Sequence, residues 1–213
     1  KQDVLEAETL PPECYTDASF YEFEKEALFT HDWLCVGREE WVSEPGDYFT
    51  TSTVNEPIVV ARNRKGELKA MSSVCQHRAM LVAEGSGNAR GFVCPYHHWS
   101  YSLDGDLVGA PAMNKTCEFD RKANGLPNFK ERASFPDAPE GAAGYLRFNG
   151  TLHPDASFNP TQKAVLPVFP GLSDEARQRM TFANIPPSLS LVMTSDMVIY
   201  LIIRPDSPET HYM

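Results

Sequence analysis

The chain has 213 residues, 42% hydrophobic and 23% charged, with a formal net charge of −10 and a pI near 5.0. That is the make-up of a folded globular protein with room for one large core or two small ones, and its acidity excludes a nucleic-acid partner, whose binders present basic patches. No apolar run approaches the ~20 residues of a membrane span, and the N-terminus lacks the apolar region of a signal peptide.

From the N-terminus, Thr16 and Asp17 are good helix caps, and Phe20, Phe23, Ala27 and Leu28 follow at spacings of three and four. This predicts an amphipathic helix over residues 18–30 with those four side chains on its packed face. GDYFTTSTV, EPIVVAR and GELKAMSSV then read as short strands, with a turn over Asn63–Gly66 between the last two. GFVCPYH is a strand running into a loop, and YSLDGDLVG is a hairpin about Asp104-Gly105. GYLRFNG (Gly144–Gly150) closes the series. Strands at this spacing predict a small antiparallel β domain over residues 34–152, preceded by a helical arm over 1–33. The remainder, 153–213, opens on a predicted helix over Ser173–Met180 and then carries two apolar strands, SLSLVM and MVIYLII, joined at Ser195-Asp196. Two strands alone cannot bury both faces, so they require a larger sheet, one that this chain is expected to be too short to supply. The expected class is α+β.

Chemistry concentrates in two polar loops, VCQHRAM (Val74–Met80) and CPYHHWSY (Cys94–Tyr101). They place Cys75 two residues before His77, and Cys94 three before His97. Two sulfurs and two nitrogens suit a tetrahedral zinc or an iron–sulfur cluster. Zinc modules usually pair Cys with Cys and His with His. One Cys and one His per loop suits a two-iron cluster bound asymmetrically, thiolates on one iron and imidazoles on the other. Cys14, Cys35 and Cys117 lie outside these loops and read as packed thiols. An odd cysteine count without an export signal points to a reducing, cytoplasmic compartment. His31 reads as a helix-end residue rather than a ligand.

The double motif C-x-H-x16-C-x-x-H, with CPYHHWSY, resembles the Rieske [2Fe–2S] domain, and specifically the large (alpha) subunit of Rieske non-haem iron oxygenases, the ring-hydroxylating dioxygenase family. The resemblance covers residues 10–150. It implies that Cys75, His77, Cys94 and His97 hold the cluster. It further implies electrons arriving from NAD(P)H through a reductase, with or without a ferredoxin, and passing on to a mononuclear Fe(II). That iron activates O2 to hydroxylate a small organic substrate, with aromatic rings as the first expectation and demethylation of a small quaternary amine as the second. A homotrimer with no membrane or nucleic-acid partner is implied as well. The competing reading is a Rieske ferredoxin, a carrier without a catalytic site.

Against the high-potential members, Met80 and Tyr96 stand where those have a disulfide, and Trp99 where they have a serine donor to the cluster. A potential in the lower part of the roughly −150 to +300 mV range is therefore expected. His98 stands where the oxygenases commonly have Gly or Ala, and reads as a surface residue in preference to a donor behind the cluster. Arg78 is either a brace for its loop or a solvated cation.

The tail resembles a segment of the oxygenase catalytic domain, but the family's two-histidine, one-carboxylate iron site is absent from the sequence. Only His153 and His211 follow the β domain, and they do not form the motif. Residues are therefore expected to be missing near 158–165 and after 213, from a protein about twice this length.

Overall fold

The alternating run Asp47–Thr53 (β1) folds back on Glu56–Arg62 (β2) through a two-residue turn at Val54 and Asn55, both with positive φ. Such a turn matches the twist of the strands it joins. In the computed structural model, residues 10–116, 118–129, 146–151, 166–185, 188–205 and 211–212 are described. The chain divides into two units, Val36–Ala138 and Lys1–Cys35 with Pro139–Met213.

In the first unit, β2 pairs on its other side with Leu68–Ser72 (β3). Ser86–Asn88 (β4) and Asn128–Phe129 (β8) close the edges in the order β4-β1-β2-β3-β8. All neighbours run antiparallel. β2 is apolar without alternation because both of its faces are covered. Ile58 and Val60 pack with Val42 and Phe49. Val59 and Ala61 face a larger core with Met71, Phe92, Tyr101 and Leu107. Each such aliphatic side chain contributes roughly 1.5–3 kcal/mol by leaving water. A second sheet of Phe92–Val93 (β5), Ser100–Tyr101 (β6) and Leu107–Gly109 (β7) contains the expected Asp104-Gly105 turn, with Gly105 at φ 88°.

The turn between β2 and β3 hangs on Asn63, fully buried. Its Oδ1 accepts from the amides of Lys65 and Glu67, and its Nδ2 donates to Glu67 Oε2 and Asp104 Oδ1. It thereby ties this turn to the Asp104 hairpin. Asn63→Ala orphans two backbone amides and is expected to cost about 3 kcal/mol, read as a lowered urea midpoint at constant m.

In the second unit, Glu13–Thr16 (α1) precedes Ala18–Glu24 (α2), capped as expected by Asp17, whose carboxylate accepts from the Ser19 amide at 2.7 Å. The helix runs on as a five-residue π turn over Lys25–Phe29. Its packed face differs from the expected one. Tyr21 is buried, whereas Phe23 is 62% exposed and Ala27 is exposed. Tyr21, Lys25 and Leu28 share a face at the same three-and-four spacing, and the Lys25 ammonium lies 5.2 Å from the Tyr21 ring. A phenol ring and a lysine stem can bury as much apolar surface as two phenylalanines.

Ser173 caps a single-turn helix, Asp174–Arg177 (α3). The expected helix to Met180 stops there, and Arg179–Ile185 (β10) is a strand. It is sandwiched between Leu146–Thr151 (β9) and Leu189–Met193 (β11). Two full ladders of hydrogen bonds outweigh the helical preference of one short turn. β9, expected to close the first β series, belongs instead to this four-stranded sheet, β12-β11-β10-β9, with Val198–Ile202 as β12. The larger sheet that the two apolar strands require is thus supplied within this chain, against expectation, by β9 and β10. Arg204–Pro205 (β13) and His211–Tyr212 (β14) form a separate pair. No helix among the described residues is long and apolar enough to cross a membrane.

Candidate metal centre

The two ligand loops share one backbone plan. In the first, between β3 and β4, the Cys75 amide donates to the Met80 carbonyl at 2.8 Å and the Ala79 amide donates back to the Cys75 carbonyl at 3.0 Å. In the second, between β5 and β6, the Cys94 amide donates to the Trp99 carbonyl at 2.8 Å and the His98 amide to the Cys94 carbonyl at 3.0 Å. The fourth residue after each cysteine is left-handed, Ala79 at φ 54° and His98 at φ 60°. This explains why glycine would suit position 98, since only glycine adopts that conformation without strain. The His98 side chain is exposed, as its surface reading expected. His98→Gly is expected to raise stability by about 1 kcal/mol and His98→Val to lower it by at least as much, both measured by urea unfolding.

Cys75 and Cys94 are each 2% exposed and belong to the main core of their unit. His77 and His97 are half-buried, their rings 4.7 Å apart. Each turns Nδ1 inward, where it is buried and meets no hydrogen-bond partner among the described residues. A buried nitrogen without a partner is costly, and a metal would satisfy both. Burial, with the neighbouring His77, Arg78 and His98, holds His97 below its ordinary pKa, toward the neutral form a metal ligand needs. No three His, Cys, Asp or Glu among the described residues gather as a single-ion site would require. A two-iron cluster asks only two ligands of each metal, so the four residues fit it better than they fit zinc.

Tyr101 was not marked by spacing or composition, yet it reaches this site. Only 1% exposed, its hydroxyl lies 3.2 Å from Cys75 Sγ and accepts from the Gln76 amide at 3.1 Å. Burial first, then the contact with Cys75, drives its pKa well above the ordinary phenol value, so the hydroxyl keeps its proton; either group can donate in this pair, and a metal-bound Cys75 thiolate could only accept. The signal available in sequence was only a tyrosine at an inward position of β6.

Arg78 is exposed, in keeping with a solvated cation. His31 is exposed beside the Thr30 hydroxyl at 2.9 Å. Cys14 and Cys35 are half-buried. His153, Cys117 and the join at 158–165 lie outside the described residues, and His211 is described only through its strand.

Residues 32–130 match the Rieske [2Fe–2S] domain, and residues 102–213, more than half of the chain, match the catalytic domain of the ring-hydroxylating alpha subunit. The chain therefore belongs to the ring-hydroxylating alpha subunits of the Rieske oxygenases. Over 125 residues it is 43% identical to the chloroplastic choline monooxygenase of Beta vulgaris, spanning 59% of this chain and 28% of that one. Over 107 residues it is 37% identical to the alpha subunit of benzene 1,2-dioxygenase from Pseudomonas putida, spanning 50% of this chain and 24% of that one. These matches cover about a quarter of the relatives' length. In fold it is similar to the crystal structure of the quaternary ammonium Rieske monooxygenase CntA with gamma-butyrobetaine, at a TM-score of 0.73 and 23% identity, over 95% of this chain and 72% of that one. The two domain matches together imply a [2Fe–2S] cluster and a mononuclear iron. The loops fit the first. For the second, the described residues supply no ligand set.

Proposed function

We propose that this chain is part of the terminal oxygenase component of a Rieske non-haem iron system, with Cys75 and Cys94 on one iron of a [2Fe–2S] cluster and His77 and His97 on the other. The observation that carries the reading is the pair of buried, unpartnered Nδ1 atoms on facing imidazoles, in loops whose cysteines sit in the core. When bound, the cluster supplies one-electron storage. The loops hold the sulfurs in apolar surroundings, Tyr101 keeps a proton on a donor beside Cys75, and the half-buried imidazoles form the side nearest solvent. The match of residues 102–213 to the catalytic domain speaks for an oxygenase over a bare electron carrier.

Electrons enter from NAD(P)H through a reductase, directly or by a ferredoxin, and O2 and a small organic substrate are the other reactants. The intact protein works as a homotrimer in a reducing, cytoplasmic setting. The substrate of the first reading is an aromatic ring. The second, a small quaternary amine, is favoured by the higher identity to choline monooxygenase. Iron and acid-labile sulfide analysis of the full chain tests the core of the proposal. Three irons and two sulfides per chain, with O2 uptake dependent on an added aromatic or quaternary amine, are expected. Two irons and no substrate-dependent uptake would instead indicate a carrier, and neither iron nor sulfide after anaerobic reconstitution would end the reading.

A further inference from the structure

The two imidazoles are gripped differently. The ring of His77 lies face to face with the Trp99 indole, centroids 4.8 Å apart and planes within 7°. Trp99 is 2% exposed, and the ring of Phe119 meets it edge-on at 5.5 Å and 70°. The Trp99 carbonyl also receives the Cys94 amide, so one residue joins the sulfur of the second loop to the imidazole of the first. His97 leans at 34° on Tyr96, which is 57% exposed and has no such brace among the described residues.

We propose that Trp99 is the positioning residue for His77: its flat, buried face sets the rotation of the imidazole and keeps Nδ1 aimed at the metal. This rests on the ligand set proposed above. The torsion that turns an imidazole about its stem is broad, so some contact must choose its angle. A hydrogen bond to the second ring nitrogen usually does so for a metal-bound histidine. The His77 ring also lies parallel against the Trp99 indole, and that stack can set its angle from the ring face. It needs a flat partner, because an aliphatic side chain of similar volume would fill the space without setting an angle.

The test compares Trp99→Leu, Trp99→Phe and Phe119→Leu in the intact, cluster-loaded chain. The readouts are the histidine nitrogen couplings of the reduced cluster in pulsed EPR and the rate of cluster release to a chelator. Trp99→Leu is expected to shift the coupling of one nitrogen only and to speed release about two- to tenfold, the worth of an aromatic pair. Trp99→Phe is expected to return the coupling toward wild type, and Phe119→Leu to shift the same nitrogen less. Loaded Trp99→Leu protein with both couplings unchanged would overturn the proposal. If Trp99→Leu does not fold, unchanged couplings in Phe119→Leu would do the same. Wild-type protein without iron and sulfide would fail at an earlier step, taking the ligand set down first.

Discussion

Cys94→Ala is expected to give a colourless chain without iron or labile sulfide, melting about 15–30 °C below wild type. Cys94 is 2% exposed and packs in the main core with Cys75, Trp99 and Tyr101, so a group bound there is bound by the folded state alone. A ligand present at a thousand times its dissociation constant stabilises the folded state by about 4 kcal/mol. In a unit of about a hundred residues, each kcal/mol moves the melting temperature by roughly 4–8 °C. Calorimetry and metal analysis on the same preparations check both halves. Cys14→Ala, a half-buried thiol in the other unit, should keep the cluster and its colour. Retention of full iron and sulfide by Cys94→Ala would remove that cysteine from the ligand set.

Tyr101→Phe is expected to lower the reduction potential by about 60 mV, a tenfold shift in a one-electron equilibrium. With Cys75 bound as a thiolate, the phenol 3.2 Å away would be the donor and would draw charge from the sulfur, which favours the reduced cluster, where the sulfurs carry more charge. Hydrogen bonds to charged groups are worth about 1.5–3 kcal/mol, enough for the part that changes with the charge on the sulfur to give a shift of this size. The same change strands the Gln76 amide, at a further ~1–3 kcal/mol of stability. A redox titration and a urea melt separate the two effects. An unchanged potential in a destabilised protein would leave Tyr101 as a purely structural anchor. The tyrosine also tempers the expectation drawn from Trp99: the serine donor is absent, but one donor to a ligand sulfur remains.

Much of the first unit was legible because its signals are local. β-Branched runs, the Asp104-Gly105 turn and the spacing of Cys75, His77, Cys94 and His97 each depend on a few adjacent residues. What escaped depends on pairing at long range. Arg179 and Met180 follow a well-capped helix, and only the strands on either side make them part of β10. β9 looks like any short strand, and its sheet is decided by a partner some thirty residues later in the chain. The expected helix face rests on Phe20, Phe23, Ala27 and Leu28, but Tyr21 and Lys25, whose ring and stem bury well, share the packed side instead of Phe23 and Ala27. The oddity at His98 could be seen, but its cause is a backbone angle.

The shared plan of the ligand loops reaches past this chain. Measured from histidine, the two motifs differ by one residue; measured from cysteine to the left-handed position, both take four steps. The main chain keeps the same metre in each half, and the imidazole slides along it by one beat. Mutagenesis that lengthens either loop should therefore break the rhythm wherever the extra residue falls, whereas exchanging the residue that carries the imidazole leaves the meter intact.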